Sequence, residues 1–473
     1  MRWGGNALKR GVMFPGNGPS ARGILRIMKW YPMSVRRTVA WCFAVGLSLF
    51  SIWFVLLPIA RITHELRDPS WRDGSLPASV VTWHQSLSDR FAPWAERRVT
   101  SMRAQQLAKY DISGTEWPLF SSVLYLWATE SIQEQWQRQP WDELAPAVRN
   151  RDAIAAAARL ISDPGHAKWV RQHWGDGYLR EKNLFYRMLL IAGLDSYERL
   201  SEDRQYHALL REQSDTLARE LDVSAHGILD DYPNEAYSVD VLLAYAVIAR
   251  TQRGLGTADA AWLARARRAF SGDFIDTARG LPAYAVDAEG GIALSDARGV
   301  GLSMMLIWAH ELWPDLATQW YDRYVEHYWQ ERWGLAGFRE FPRQANASDW
   351  TSEVDAGPVV AGFGAAANGF GVGTTRIRGD MRRGYALTTQ ALVAAWPLPN
   401  GTLLGPRLVS NLVDAPYTGE AALLFAWSRM PASQITTAAT STPTGVWLAL
   451  ALLAMIGIAS PLWCFRRLLR VPR

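Results

Sequence analysis

Cysteine is almost absent from this chain. Its 473 residues include two, Cys42 and Cys464, and both fall in apolar stretches near the ends. The long middle therefore holds no disulfide, no thiolate nucleophile and no cysteine metal site, and its core must stabilise it unaided. Several catalytic signatures are missing as well: HExxH, a P-loop lysine, GxSxG and a dinucleotide fingerprint. His166, His173, His226, His310 and His327 have no ligand-like spacing, so neither metal nor cofactor is expected. Sustained period-two alternation is also lacking, which argues against a sheet-built domain. Finally, residues 1–37 and the tail after Phe465 contain no acid.

Two uncharged stretches are present, 38–60 and 444–465. Each is close to the roughly 20 residues that a spanning helix needs. The first is longer than the roughly 7–15 apolar residues of a signal peptide, and Arg61 follows its end without an A-x-A site, so an uncleaved anchor is expected. Residues 1–37 carry eight basic residues and 466–473 carry four. By the positive-inside rule both termini are cytoplasmic, and the middle lies outside, in the periplasm of a two-pass inner-membrane protein. A start at Met28 instead of Met1 gives the same topology. Without the twelve basic tail residues, 38 Lys and Arg face 45 acids. The basic balance thus belongs to the tails, which suit membrane lipid, and nucleic-acid binding is not expected.

Residues 61–99 read as a connector, 100–430 as the compact domain, and 431–443 (rich in Ser, Thr, Ala and Pro) as a flexible tether. Helical spacing of apolar residues marks 120–136, 183–194, 205–221, 239–249, 258–274, 300–312 and 318–329. Glycine phrases begin at Gly114, Gly175, Gly227, Gly280, Gly334 and Gly401, with central spacings of 52, 53 and 54 residues. That interval fits two helices and two loops. Six such hairpins predict an all-α (α/α)6 toroid flanked by one transmembrane helix at each end. The six phrases would then share one rim, where loops on a rigid scaffold carry function.

Three rim phrases carry polar chemistry. In DDYPNEAYSVD, Pro233 stops a helix and Glu235 lies between Tyr232 and Tyr237. A carboxyl in that semi-dry setting suits a general acid or base. Ser238 or Asp240 reads as the cap of the next helix. In WTSEVDAGP, Glu353 and Asp355 alternate and would point the same way on an extended segment. In GFREFPR, Arg339 and Glu340 form a surface pair or orient a substrate. Further rim acids are Glu116, Asp176 and Asp287. The expected catalytic residues are Glu235 and Asp355, with Glu353 weaker. Tyr232, Trp117, Arg339, Glu340, Tyr237 and Asp231 are the expected binders. Carboxylates beside flat aromatic faces are what a sugar site requires.

The runs EKNLFYRMLLIAGLDSYERL, GILDDYPNEAYSVDVLLA and EVDAGPVVAGFGAAANGFGVG resemble the linalool dehydratase/isomerase-like family, over Gly114 to Trp427. That resemblance implies an (α/α)6 toroid and acid–base chemistry on a monoterpene alcohol in a deep apolar pocket. The family mechanism is discussed in terms of cysteines, a tyrosine, a histidine and an aspartate. The cysteine roles have no position here, because the middle of the chain has no cysteine.

Three functions fit these residues. The first is an acid–base enzyme acting on an envelope glycan or another small hydroxylated substrate. The second is a dehydratase or isomerase of a terpene-like alcohol. The third is a non-catalytic binding or scaffold domain with envelope protein partners.

Overall fold

The computed structural model describes residues 33–107, 113–272, 274–345, 347–432, 434–439 and 441–470. Most of the basic N-terminal segment, with Met28, and the last tail residue Arg473 lie outside these. The chain divides into two units, Met1–Val55 with Met455–Arg473, and Leu56–Ala454.

Two helices, Thr38–Glu65 and Thr444–Leu469, are long and apolar enough to cross a membrane. The second spans 26 residues, about 39 Å, against a hydrocarbon core of about 30 Å. In the first unit they run antiparallel. The Trp41 and Phe465 rings lie 5.6 Å apart, and Ser51 Oγ donates to the Gly457 carbonyl.

The second unit is a double ring of helices. They are α1 (Ala78–Thr100), α2 (Glu116–Arg138), α3 (Arg151–Ile161), α4 (Leu184–Ser201), α5 (His207–Val223) and α6 (Ser238–Leu255), followed by α7 (Ala260–Ala269), α8 (Gly299–Leu312), α9 (Pro314–Tyr328), α10 (Ala365–Arg378), α11 (Met381–Ala395) and α12 (Thr418–Ser428). The even-numbered helices pack in sequence, α2 on α4 through to α12, and α12 packs back on α2. That closure makes the fold an (α/α)6 toroid.

Burial pattern explains who sits where. The inner helices are apolar on nearly every face, and α8 is buried from Gly299 to Ala309. The outer helices bury one stripe, as α5 does with Leu210, Gln213, Ser214, Leu217 and Leu221. Small residues in α10 let it touch both inner neighbours. A Cβ on Gly373 would meet Ile307 Cδ1 at 2.9 Å and Ala426 Cα at 3.3 Å. The ring's interior is filled at mid-height by indoles. Trp127 of α2 lies 4.6 Å from Trp308 of α8, on the opposite side of the ring, and 5.4 Å from Phe425.

All six glycine phrases fall between an outer helix and the next inner one, so they share one rim as the spacing predicts. Backbone bonds run from loop to loop along that rim. Leu184 N donates to Asp230 O, Ser238 N to Tyr284 O, and Gly299 N to Glu340 O. The rim loops also contain short antiparallel strands, including Ala236–Tyr237 on Ala285–Asp287 and Trp350–Glu353 on Gly357–Val360. Pieces of two to four residues are too short to print an alternation on the sequence.

The structure revises two boundaries. Most of the segment read as a connector is α1, which packs on α3 and α12 as an outer helix of the ring. The segment read as a flexible tether is pinned to the domain. Thr436 N donates to Gly379 O, Met381 N to Thr437 O, and Thr437 Oγ1 to Asp380. Its composition is that of a linker, but its backbone groups find partners at the turn between α10 and α11.

Candidate active site

The N-termini of the inner helices converge on the rim. Glu116 is the first residue of α2 and Asp240 the third of α6. A helix N-terminus favours the ionised carboxylate, by roughly 0.3–1 kcal/mol when exposed. Burial acts the other way and wins here. It pushes the Glu116 carboxyl up to about 8, against a hydrogen bond from Tyr232 and with help from Asp240 and Asp355. Burial also drives Asp240 well above the usual range, with Asp355 adding to it. Asp231 is raised in the same way, with Asp240 adding to it. Asp231 Oδ2 accepts the Tyr237 amide at 2.8 Å, while its buried Oδ1 has no partner among the described residues.

Above these acids runs a row of phenols, each donating to one carboxyl. Tyr232 Oη lies 2.8 Å from both Glu116 oxygens. Tyr237 Oη lies 3.0 Å from Glu235 Oε2, and Tyr284 donates to Asp355. The rings are neighbours: Tyr232 is 6.4 Å from Tyr237, and Tyr237 is 5.1 Å from Tyr284. Trp169 closes one end of the row at 5.3 Å from Tyr232. At the other end the Arg298 guanidinium lies 4.6 Å over the Tyr284 ring.

Glu235 and Asp355, 120 residues apart in sequence, thus belong to one row, linked through Tyr237 and Tyr284. Both are exposed at its lip. Glu353 stands 3.7 Å from Arg298, while Asp355 lies beyond the strand that holds Glu353, in the turn. Trp117 is half-buried on the first turn of α2. Arg339 and Glu340 do not pair with each other. The Arg339 guanidinium is taken up by Asp349 at 2.7 Å, Gln330 at 2.9 Å and the Phe341 carbonyl at 3.0 Å. Glu340 is fully buried, bonded to Arg298 Nε at 2.9 Å and the Val300 amide at 3.2 Å. Burial lifts it to about 7 despite that arginine. Both residues hold the loop instead of presenting a surface pair.

The capping expectation for Ser238 and Asp240 is corrected as well. Tyr237 occupies the N-cap without a side-chain bond, and the Ser238 hydroxyl donates to the Ala283 carbonyl. Asp240 lies inside the first turn and is free to face the acids around it. In sequence Glu116 is legible as a rim acid and Asp240 as a candidate cap, and neither stands out as part of the site.

Comparison with known proteins adds little. No protein-family model matches the chain, and no curated protein matches it. Two solved structures of inactive variants of the alpha-1,6-mannanase GH76A of Salegentibacter sp. HEL1_6 are similar. One is in complex with alpha-1,6-mannotetrose, at 12% identity, covering 65% of this chain and 88% of that one, TM-score 0.38. The other, with alpha-1,6-mannotriose, is also at 12%, covering 70% and 98%, TM-score 0.39. The fold assignment rests on ring closure, and the chemistry on the residues above.

The far ends of the inner helices form a contrast. There the acids meet cations: Glu130 lies 2.8 Å and Asp195 3.6 Å from Arg250, and Glu311 lies 3.2 Å from Arg429. At the mouth, Glu116, Glu235 and Asp355 meet phenols. Arg250 opposes the rise that burial causes at Glu130, whereas at Glu116 burial is opposed by the Tyr232 hydrogen bond.

Proposed function

We propose that this chain is a membrane-anchored, extracytoplasmic acid–base enzyme acting on a hydroxylated substrate, an envelope glycan. The observation that carries this reading is the row of three phenol–carboxyl pairs above acids whose carboxyls burial raises. Glu116 is the proton reservoir. When it is protonated it donates to Tyr232 Oη, and the phenol hydrogen is free to turn into the mouth. Tyr232 then delivers the proton to a departing oxygen. Asp355 and Glu235, exposed at the lip, take the complementary base role. The tyrosine faces stack on sugar rings and the acids accept from hydroxyls.

The linalool dehydratase/isomerase-like reading calls for a deep apolar pocket. Trp127, Trp308 and Phe425 fill the ring where such a pocket would lie, and polar groups line the mouth. A scaffold reading calls for rim acids that are spread apart or salt-bridged; Asp176, Glu340 and Glu353 do pair with arginines, while Glu116, Glu235 and Asp355 gather along one row and bond phenols. These observations favour the glycan reading over both.

The test uses the full chain in detergent with envelope glycan preparations, measuring released reducing ends. Glu235→Gln and Asp355→Asn are each expected to lower the rate by about 10²–10⁴-fold with helicity unchanged. Glu353→Gln should cost less. Full activity in both of the first two variants would reject their assignment.

The proposed topology places both termini in the cytoplasm. Antiparallel packing of the two apolar helices and the basic tails support it. A reporter inserted at Asp259 is expected to read as outside, and fusions before Thr38 and after Arg473 as cytoplasmic. A cytoplasmic signal at Asp259 would overturn the compartment.

A further inference from the structure

Strands Trp329–Arg332 and Leu335–Phe338 pair in register from Trp329↔Phe338 to Arg332↔Leu335. Only Trp333 and Gly334 remain for the turn, with φ of 55° and 71°. Both are left-handed, as a type I′ turn requires, and that turn favours Asn-Gly or Gly-Gly. A tryptophan in the first position is conformationally strained, by about 1 kcal/mol or more. Its side chain is 64% exposed, so the core gains little from it. The Arg332 guanidinium lies 4.3 Å over its ring.

The position of the turn suggests its use. Gly445 N donates to Gly334 O at 2.9 Å. A Cβ on Gly334 would meet Gly445 N at 2.9 Å, and one on Gly445 would meet Gly334 O at 2.8 Å. The two backbones therefore touch, and Gly445 is the second residue of the apolar helix that starts at Thr444. Trp447 and Leu448 are exposed less than one turn further on, at 43% and 65%. The hairpin tip thus sits where this helix would enter a bilayer. Indoles and arginines are favoured at that depth, with the ring among headgroups and the cation toward phosphate.

We propose that Arg332 and Trp333 form a membrane-interface anchor, a second attachment of the ring domain to the lipid headgroup layer beside the spanning helix. The proposal rests on the membrane-spanning reading above. It is tested in the full chain carrying Cys42→Ser and Cys464→Ser, in vesicles of phosphatidylethanolamine and phosphatidylglycerol. Trp333→Cys, labelled with an environment-sensitive fluorophore, is compared with Val223→Cys, a position 82% exposed on the domain. The probe at 333 is expected to shift to the blue and to be quenched by lipids carrying a spin label near the headgroup. The probe at 223 should do neither. Matching aqueous spectra at both positions, in protein that resists alkaline carbonate extraction, would overturn the anchor and leave the spanning reading intact. Release by carbonate would overturn both.

Discussion

Glu116→Gln is expected to lower kcat/KM by about 10²–10⁴-fold, because glutamine keeps the shape and cannot supply the proton. The same substitution should change how folding stability depends on pH. The folded carboxyl sits at about 8, raised from 4.5. A raised carboxyl contributes its full stability below the unfolded value, where both states are protonated. That stability is lost as pH climbs from about 4.5 to about 8, because the unfolded chain ionises first. The loss is about 5 kcal/mol as an upper figure, at 1.36 kcal/mol per unit. Glu116→Gln should therefore melt close to the parent at pH 5 and well above it at pH 9. Activity of the parent should also fall as pH rises through about 8, as the reservoir loses its proton. Parallel melting curves for the two proteins across pH would show that Glu116 is not protonated in the fold. Unchanged turnover in the variant would remove it from the chemistry.

Gly299→Ala should damage the mouth while sparing the ring. Gly299 is the first residue of α8, and its amide donates to the Glu340 carbonyl at 2.8 Å. A Cβ there would stand 2.2 Å from the Arg339 carbonyl oxygen and 3.0 Å from Ala367 Cβ. The obstructing atom is backbone, so the loop that holds Arg339 and Glu340 must move. Overpacking of this kind costs about 1–3 kcal/mol. Displacing the loop also strains the bonds from Arg298 and Val300 to the buried Glu340, and Arg298 stands over the Tyr284 ring. The expected result is a lower melting temperature, a large loss of activity and a circular dichroism spectrum that stays helical. Gly369→Ala on α10 is the control. Nothing lies within 4 Å of its added Cβ, and alanine in a helix interior should stabilise by about 0.5–1 kcal/mol. Equal melting temperatures for the two variants would contradict the packing argument.

The inner helices were legible because burial on all sides leaves long apolar runs. The window 300–312 became α8 at Gly299–Leu312, and the window 239–249 became α6 at Ser238–Leu255. The rim was legible through its glycines, five of which adopt positive φ at Gly175, Gly227, Gly280, Gly334 and Gly401. Helix α1 was not read as part of the ring. It lies beside the first apolar stretch, and a single buried stripe with Pro93 inside it reads as easily as a connector. Among the site residues, two of the three tyrosine–carboxyl pairs, Tyr232 with Glu116 and Tyr284 with Asp355, join phrases far apart in sequence, and Tyr284 and Glu116 stood outside the expected site.

By itself the sequence determined the two apolar spans, the basic flanks beside them, the cysteine-free middle and the repeat that closes a ring. Each of these depends only on residue type and spacing along the chain. Which carboxyls hold a proton was decided by tertiary structure alone. Glu235 lies in the richest phrase but stands exposed at the lip. Glu116, in sequence one further rim acid among several, is enclosed where Tyr232 comes in from the opposite flank of α4. Desolvation is a property of everything packed around a group, and that surrounding exists only once six helices from distant parts of the chain have closed.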